Sequence, residues 1–440
     1  MVRTLAILVF LLISCSLPAQ RVERDIDIAS IPDGGDGDLS VGVVLSGGGA
    51  KGYAHIGVLR ALEEAGVRVD FIGGTSMGAI VGGLYAAGYS ADQLEELLRS
   101  IDIMSELQDQ FEREDRPIYE KLYEEKYLLG LSLKNFGIQL PAALSDGQRV
   151  YNLFSHWTAN VGHIRDFDEL PIPFLSVATD LETGEDYVID EGLLPEAMRA
   201  SAALPGFLSP YTLRGRLLTD GGVSNNYPAE EVKKKGVDFV LGISLDEGAL
   251  TKDQLTSIDQ LLLQIAFFQA NRRNLDQEDI TDIDVKPNLK GFSVVSFAEI
   301  DTLISAGNIV GELAMDDFRA IAARQNGPRA RRDTSAAPVP EFLNVTSLNI
   351  SGNNDLSDRQ VLSFFGEDVL PGLISWEDFK EGITALQATG RYSAIHYSWD
   401  RRAGDRGEVN LKLELEEARN SGSASVWGST TTRCTAATCC

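Results

Sequence analysis

VGVVLSGGGAKGYAH, Val41 to His55, decides how the rest of the chain is read. A β-branched run, VGVVLS, leads into Gly47, Gly48 and Gly49, and then into apolar residues at helical spacing through AHIGVLRALEEAG. Strand, glycine turn and helix in that order begin an α/β fold. Two ligands suit such a turn. Gly47, Gly49 and Gly52 satisfy G-x-G-x-x-G, and Asp70 closes VRVD about twenty residues on, where a dinucleotide-binding unit keeps its ribose-binding acid. The same amides, aimed at a reacting carbonyl, would instead hold an oxyanion.

Outward from this stretch the alternation continues. VDFIGG reads as a strand, a helix runs from Met77 through VGGLYAAG, and a longer one is predicted after Ser90. PFLSVATDL and VDFVLGISL are buried-strand patterns, so the expected sheet is largely parallel. KYLLGLSLKNFGIQL alternates like an exposed hairpin inserted at an edge. QNGPRARRDTSAAPVPE, residues 325–341, has no period and is rich in Pro, Ala and Arg; it separates a unit at 41–324 from a small α+β unit at 342–418. In that second unit a strand, two helices (SDRQVLSFF and SWEDFKEGITALQATG) and two strands are expected. Residues 419–440 read as an unstructured tail, or as a truncated or frame-shifted end.

A chain of 440 residues exceeds what one core sustains, so two folded units fit its length. Net charge is −26, and a surface this acidic repels phosphate backbones, which argues against a nucleic-acid partner. Residues 1–19 carry Arg3, an apolar run from Leu5 to Ile13 and small residues ending at Ala19. They read as a signal peptide, the run being far short of the ~20 apolar residues that span a bilayer. Leu12 to Cys15 also resembles a bacterial lipobox, in which Cys15 would be lipidated. An acidic, glycine-rich lead-in, residues 20–40, follows. The remaining cysteines, Cys434, Cys439 and Cys440, crowd the far end. The body between them therefore offers no disulfide, thiolate metal site or cysteine nucleophile.

Directly after VDFIGG comes Gly74-Thr75-Ser76-Met77-Gly78, a G-x-S-x-G elbow. Such a turn is too sharp for side chains two residues either side of the serine, and it exposes Ser76 at a helix N-terminus that favours negative charge. A glycine-rich turn with an idle serine is the bland alternative. The base is harder to find. Of His55, His156, His163 and His396, only the last lies far enough along the chain for the usual serine-acid-histidine order, and it falls beyond the linker. A carboxylate whose pKa is raised by burial could take the proton instead. Asp220, in LLTDGGVSNNYP, is the candidate, although Asp-Gly is equally a hairpin signal.

GGGAKG, GTSMG and DGGVSNNYP, in this order, resemble the patatin-like phospholipases. The resemblance continues through ATDLETGE, SAALPGF and PNLKGFSVVSF, covering most of residues 41 to about 319. It implies a three-layer α/β sandwich with a central, mostly parallel sheet and a Ser-Asp dyad: Ser76 as nucleophile, Asp220 as base, and Gly221 and Gly222 completing the DGG motif. It also implies an oxyanion loop of Gly47, Gly48, Gly49, Lys51 and Gly52, and an elbow framed by Gly74 and Gly78. The substrate would be a phospholipid or other acyl-ester lipid met at a membrane surface, with no metal or cofactor. Residues 342–418, with GRYSAIHYSWD, resemble a POTRA domain. Leader, patatin-like unit and POTRA-like unit together look like a type Vd autotransporter of a Gram-negative bacterium. That implies export to the periplasm, outer membrane or cell surface and contact with outer-membrane assembly machinery, but the C-terminal barrel of that architecture does not fit in the residues that remain. Two other readings stay open: a dinucleotide-binding α/β enzyme, and a binding module whose hydrolase site is idle. Headgroup and acyl preference depend on pocket shape.

Overall fold

The computed structural model describes residues 21–24, 37–107, 132–134, 137–139, 143–246, 248, 252, 255, 258–326, 342–366, 369–401 and 408–417. The leader with Cys15, residues 327–341 of the linker and the 419–440 tail lie outside the described residues.

Five parallel strands form the centre: β1 (Val41–Leu45), β2 (Phe71–Thr75), β3 (Phe174–Asp180), β5 (Phe239–Ile243) and β6 (Ile283–Lys286), in spatial order β6-β5-β1-β2-β3. Antiparallel strands flank them. β4 (Arg216–Asp220) pairs with β3 so that Asp220 lies opposite Ala178. Arg21–Arg24 pairs with β6, so part of the predicted lead-in is an edge strand instead, taken up by the free backbone groups of the sheet's margin.

Burial on both faces explains the nearly unbroken apolar strands. Val41, Val43, Leu45, Ile72, Phe239 and Leu241 point into one core, covered by α1 (Tyr53–Ala65), α2 (Met77–Ala86), α4 (Leu194–Ser201) and α7 (Ile300–Leu313). Val44, Phe71, Leu175, Val177 and Val240 point into the other, beneath α5 (Ala229–Lys234). The stretch read as an exposed hairpin contributes an antiparallel pair, Ser132–Lys134 with Gly137–Gln139. Among the described residues no helix is long and apolar enough to cross a membrane.

The C-terminal residues build a four-stranded sheet of β7 (Phe342–Ser351), β8 (Gly372–Ser375), β9 (Tyr392–Arg401) and β10 (Glu408–Glu417), in the order β8-β7-β10-β9. β7 and β10 run parallel, the other pairs antiparallel. Val409, Leu411, Leu413 and Leu415 alternate inward along β10, and they share one core with Phe379, Ile383 and Leu386 of α8 (Trp376–Gln387). β8, only four residues between two helices, is absent from the sequence expectation.

Candidate active site

β1 and β2 both run out at the same edge of the sheet, and each delivers one part of the site. After β2 the chain turns through Ser76, whose φ of 53° is a left-handed value that a non-glycine residue adopts only when its surroundings enforce it. The enforcement is steric. A Cβ on Gly78 would lie 2.2 Å from the carbonyl oxygen of Leu45, and one on Gly74 2.4 Å from that of Gly78. Ser76 N–H donates to Ser201 Oγ at 2.9 Å, and Ser201 Oγ donates to the carbonyl of Val177 at 2.6 Å. Gly78→Ala is therefore expected to lower the unfolding free energy by about 1–3 kcal/mol, because the obstacle is backbone that cannot rotate away; urea denaturation of the variant beside wild type measures it.

Asp220, at the end of β4, meets the serine. Ser76 Oγ donates to Asp220 Oδ2 at 2.6 Å, while Gly222 N–H donates to Asp220 Oδ1 at 2.7 Å. Asp220 is 1% exposed, and burial raises its carboxyl pKa to about 6 despite these two bonds, which act the other way. The hydroxyl of Thr179 holds the Asp220 carbonyl at 2.9 Å. Gly221 packs against the Val177 carbonyl. His396, the histidine that a triad would have required, instead joins Tyr211 Oη at 2.9 Å.

The glycine loop after β1 divides into amides that are engaged and amides that are not. Gly47 N–H donates to the Asn226 carbonyl at 3.1 Å, Ala50 N–H to that of Val294 at 2.8 Å, and Lys51 N–H to that of Gly48 at 3.2 Å. Among the described residues the amides of Gly48 and Gly49 donate to no protein group. Gly49 has φ 56°, and a Cβ there would meet the Val294 carbonyl at 2.3 Å, so only glycine fits. Gly52 packs on Met77. A Cβ on Gly47 would sit 3.1 Å from that of Ser76, which puts loop and elbow in van der Waals reach.

His55 anchors the loop from below. Its Nε2–H donates to the Ser46 carbonyl at 2.8 Å in a fully buried setting, and burial lowers its pKa to about 4, so it is neutral near pH 7. His55→Phe leaves that carbonyl buried without its donor. The expected loss is about 1–3 kcal/mol of stability, read as a lowered urea midpoint.

Ser76 and Gly49 open into an apolar cleft that, counted together with the solvent space at its open mouth, occupies about 740 Å³. Apart from Ser76 and Glu106, every described lining side chain is apolar, with Met77, Ile80, Phe154, Trp157, Phe207 and Phe297 among them. An apolar pocket with one convergent polar pair is the usual form of a small-molecule site.

Residues 43–233 match the patatin-like phospholipase family. The chain carries a patatin-like phospholipase domain. An uncharacterized NTE family protein of Mycobacterium tuberculosis is 34% identical over 212 residues, which are 48% of this chain and 51% of that protein. The patatin-like phospholipase domain-containing protein 6 of Mus musculus is 31% identical over 241 residues, 54% of this chain and 16% of that protein. The chain thus spans about half the length of the mycobacterial relative. Among solved structures, VipD from Legionella pneumophila is 16% identical with a TM-score of 0.34, over 69% of this chain and 72% of that one. ExoU of Pseudomonas aeruginosa, in its complex with SpcU, is 18% identical with a TM-score of 0.35, over 64% and 52%.

Within the patatin-like domain the dinucleotide reading loses its acid. Asp70 lies just before β2, at the opposite end of that strand from the site. It is engaged with Arg68 at 2.7 Å and with Val41 N–H at 3.0 Å. A ribose-binding acid belongs at the carboxyl ends of the strands, beside the glycine turn. Three contributors escaped the sequence reading as site residues: Ser201, Asn226 and Val294, each far along the chain from the motif it steadies.

Proposed function

We propose that this chain is a serine acyl hydrolase acting on phospholipids or related acyl-ester lipids. The observation that carries the reading is the Ser76–Asp220 hydrogen bond of 2.6 Å, set beside two uncommitted amides at the mouth of an apolar cavity. In the first step Ser76 Oγ bonds to the ester carbonyl carbon while its proton passes to Asp220 Oδ2. The carbonyl oxygen takes the negative charge and accepts from Gly48 and Gly49 N–H, at the positive end of α2. Collapse expels the alcohol, which takes the proton from Asp220. Water then attacks the acyl-enzyme with Asp220 again as base, and the fatty acid leaves. The acyl chain lies in the cavity throughout, since its lining has almost nothing for a headgroup to bond.

A fluorophosphonate probe is expected to label Ser76, with the adduct located by peptide mass spectrometry. Mass analysis of products from mixed phospholipids identifies the ester cleaved. Labelling that survives Ser76→Ala would overturn the assignment.

The same proposal takes residues 342–418 as POTRA-like and the chain as exported to the periplasm, outer membrane or cell surface, in contact with outer-membrane assembly machinery. Its supports are the leader pattern, the GRYSAIHYSWD motif and the order of strands and helices in that unit. Cell fractionation with N-terminal sequencing of the mature protein tests export.

A further inference from the structure

α3 (Gln148–Trp157) has two occupied faces. Val150, Leu153, Phe154 and Trp157 line the cavity beside Ser76. At about 100° per residue these cluster on one side of the helix, and Gln148, Tyr151, Asn152 and His156 cluster on the opposite side. That second side faces the C-terminal unit.

The contact is specific. Among the described residues β9 is an edge strand of the C-terminal sheet, with backbone groups on its outer side that no described strand takes. The Gln148 side chain takes both from Ile395: Ile395 N–H donates to Gln148 Oε1 at 3.0 Å, and Gln148 Nε2 donates to the Ile395 carbonyl at 2.8 Å. Two residues on, Tyr151 Oη donates to the Tyr397 carbonyl at 3.0 Å. Tyr397 Oη in turn donates to Asn152 Oδ1 at 3.1 Å. His156 stacks on Trp376 with ring centroids 4.5 Å apart. Gln148, Tyr151 and Asn152 are all buried here. A helix carries side chains only ~10–12 Å across, so wherever β9 holds one face of α3, the cavity wall on the other face goes with it.

We propose that the C-terminal unit sets the acyl-chain selectivity of the hydrolase, through β9 holding the α3 wall of the cavity; this rests on the acyl-hydrolase reading above. Gln148 and Tyr397 are positioning residues in this arrangement. Neither touches the elbow, the glycine loop or Asp220, which are steadied by Ser201, Asn226, Val294 and Thr179. Loosening α3 therefore acts on substrates that reach along the wall. An ester whose acyl group ends near Ser76 is indifferent to it.

The test uses the full chain as wild type, Gln148→Met and Tyr397→Phe, with p-nitrophenyl butyrate and laurate as probes. Gln148→Met keeps length and removes both bonds to Ile395. For laurate its kcat/KM is expected to fall about tenfold, mainly through a raised KM, with butyrate turnover within about twofold of wild type. Tyr397→Phe, which retains the ring in its core, shifts laurate in the same direction by less. Amide hydrogen exchange over residues 148–157 is expected to quicken in both. Laurate turnover that is unchanged, or that changes in step with butyrate, overturns the proposal. If Gln148→Met does not fold, Tyr397→Phe decides by the same criterion. A wild type that hydrolyses neither ester counts against the acyl-hydrolase reading itself and is told apart by that control.

Discussion

Ser76→Ala is expected to lower kcat/KM for acyl esters by about 10⁴-fold or more, roughly 5 kcal/mol of transition-state stabilisation. The residual rate would come from the Gly48 and Gly49 amides and from the cavity, which the substitution leaves intact. Stability gives a second reading of the same position. The left-handed backbone at Ser76 costs of order 1–3 kcal/mol in any residue with a Cβ, and alanine does nothing to relieve it. Glycine does. Ser76→Gly should be as inactive as Ser76→Ala yet melt at a higher temperature, with the difference reduced by the extra freedom glycine gives the unfolded chain. Ester turnover and thermal unfolding on the same preparations check both. An alanine variant that keeps more than about a hundredth of wild-type turnover removes Ser76 from the chemistry.

What the sequence could reveal about this site follows from how local each feature is. The elbow was legible because its steric demand is met within five residues: Gly74 and Gly78 clear the turn that Ser76 occupies. Of the five central strands, β1, β2, β3 and β5 were legible because burial on both faces makes their runs mostly apolar, whereas β6, whose four residues IDVK carry two charges, was not anticipated. α6 (Ile258–Glu278) was not anticipated. Its first half is apolar on nearly every side, with Leu261, Ile265 and Phe268 exposed, so no helical stripe separates it from a loop. The long helix expected after Ser90 ends at Arg99, where Ser100 to Asp102 interrupt the run before the short helix Ile103–Leu107. Long-range pairings are not written in local spacing. Ser201 reaches Ser76 across 125 positions and Asn226 reaches Gly47 across 179, and although both stand in the motif stretches SAALPGF and DGGVSNNYP, their residue types do not say which distant backbone group each one holds. Asp70 shows the converse: its spacing from the glycines matched a nucleotide-binding pattern, but spacing along a chain does not say at which end of a strand the residue comes to lie.

Asp220→Asn should abolish most activity and stabilise the fold above pH 6, two effects with one cause. The carboxyl is buried, and burial raises its pKa from the ordinary 3.8 to about 6. Between those values the folded protein binds a proton that the unfolded chain does not, so the stabilising contribution of this group is full below about pH 4 and is lost as pH rises through about 6. The loss is roughly 3 kcal/mol, the cost of keeping the base ionised in its dry setting at neutral pH. Asparagine carries no charge to bury. Its Oδ1 can still accept from Gly222 N–H, and its amide can donate to Ser76 Oγ, so neither neighbour is left unpaired. The variant's melting temperature should accordingly exceed wild type by several degrees at pH 8, with the gap closing toward pH 4. Turnover moves the opposite way. Only the ionised carboxylate accepts the serine proton, so wild-type kcat/KM should climb as pH rises through about 6 and then level off. Asp220→Asn should lose that limb together with about 10²–10⁴ of the rate. A wild-type profile flat from pH 5 to 7, or an asparagine variant less stable than wild type at pH 8, would contradict the charged, desolvated base from which both expectations derive.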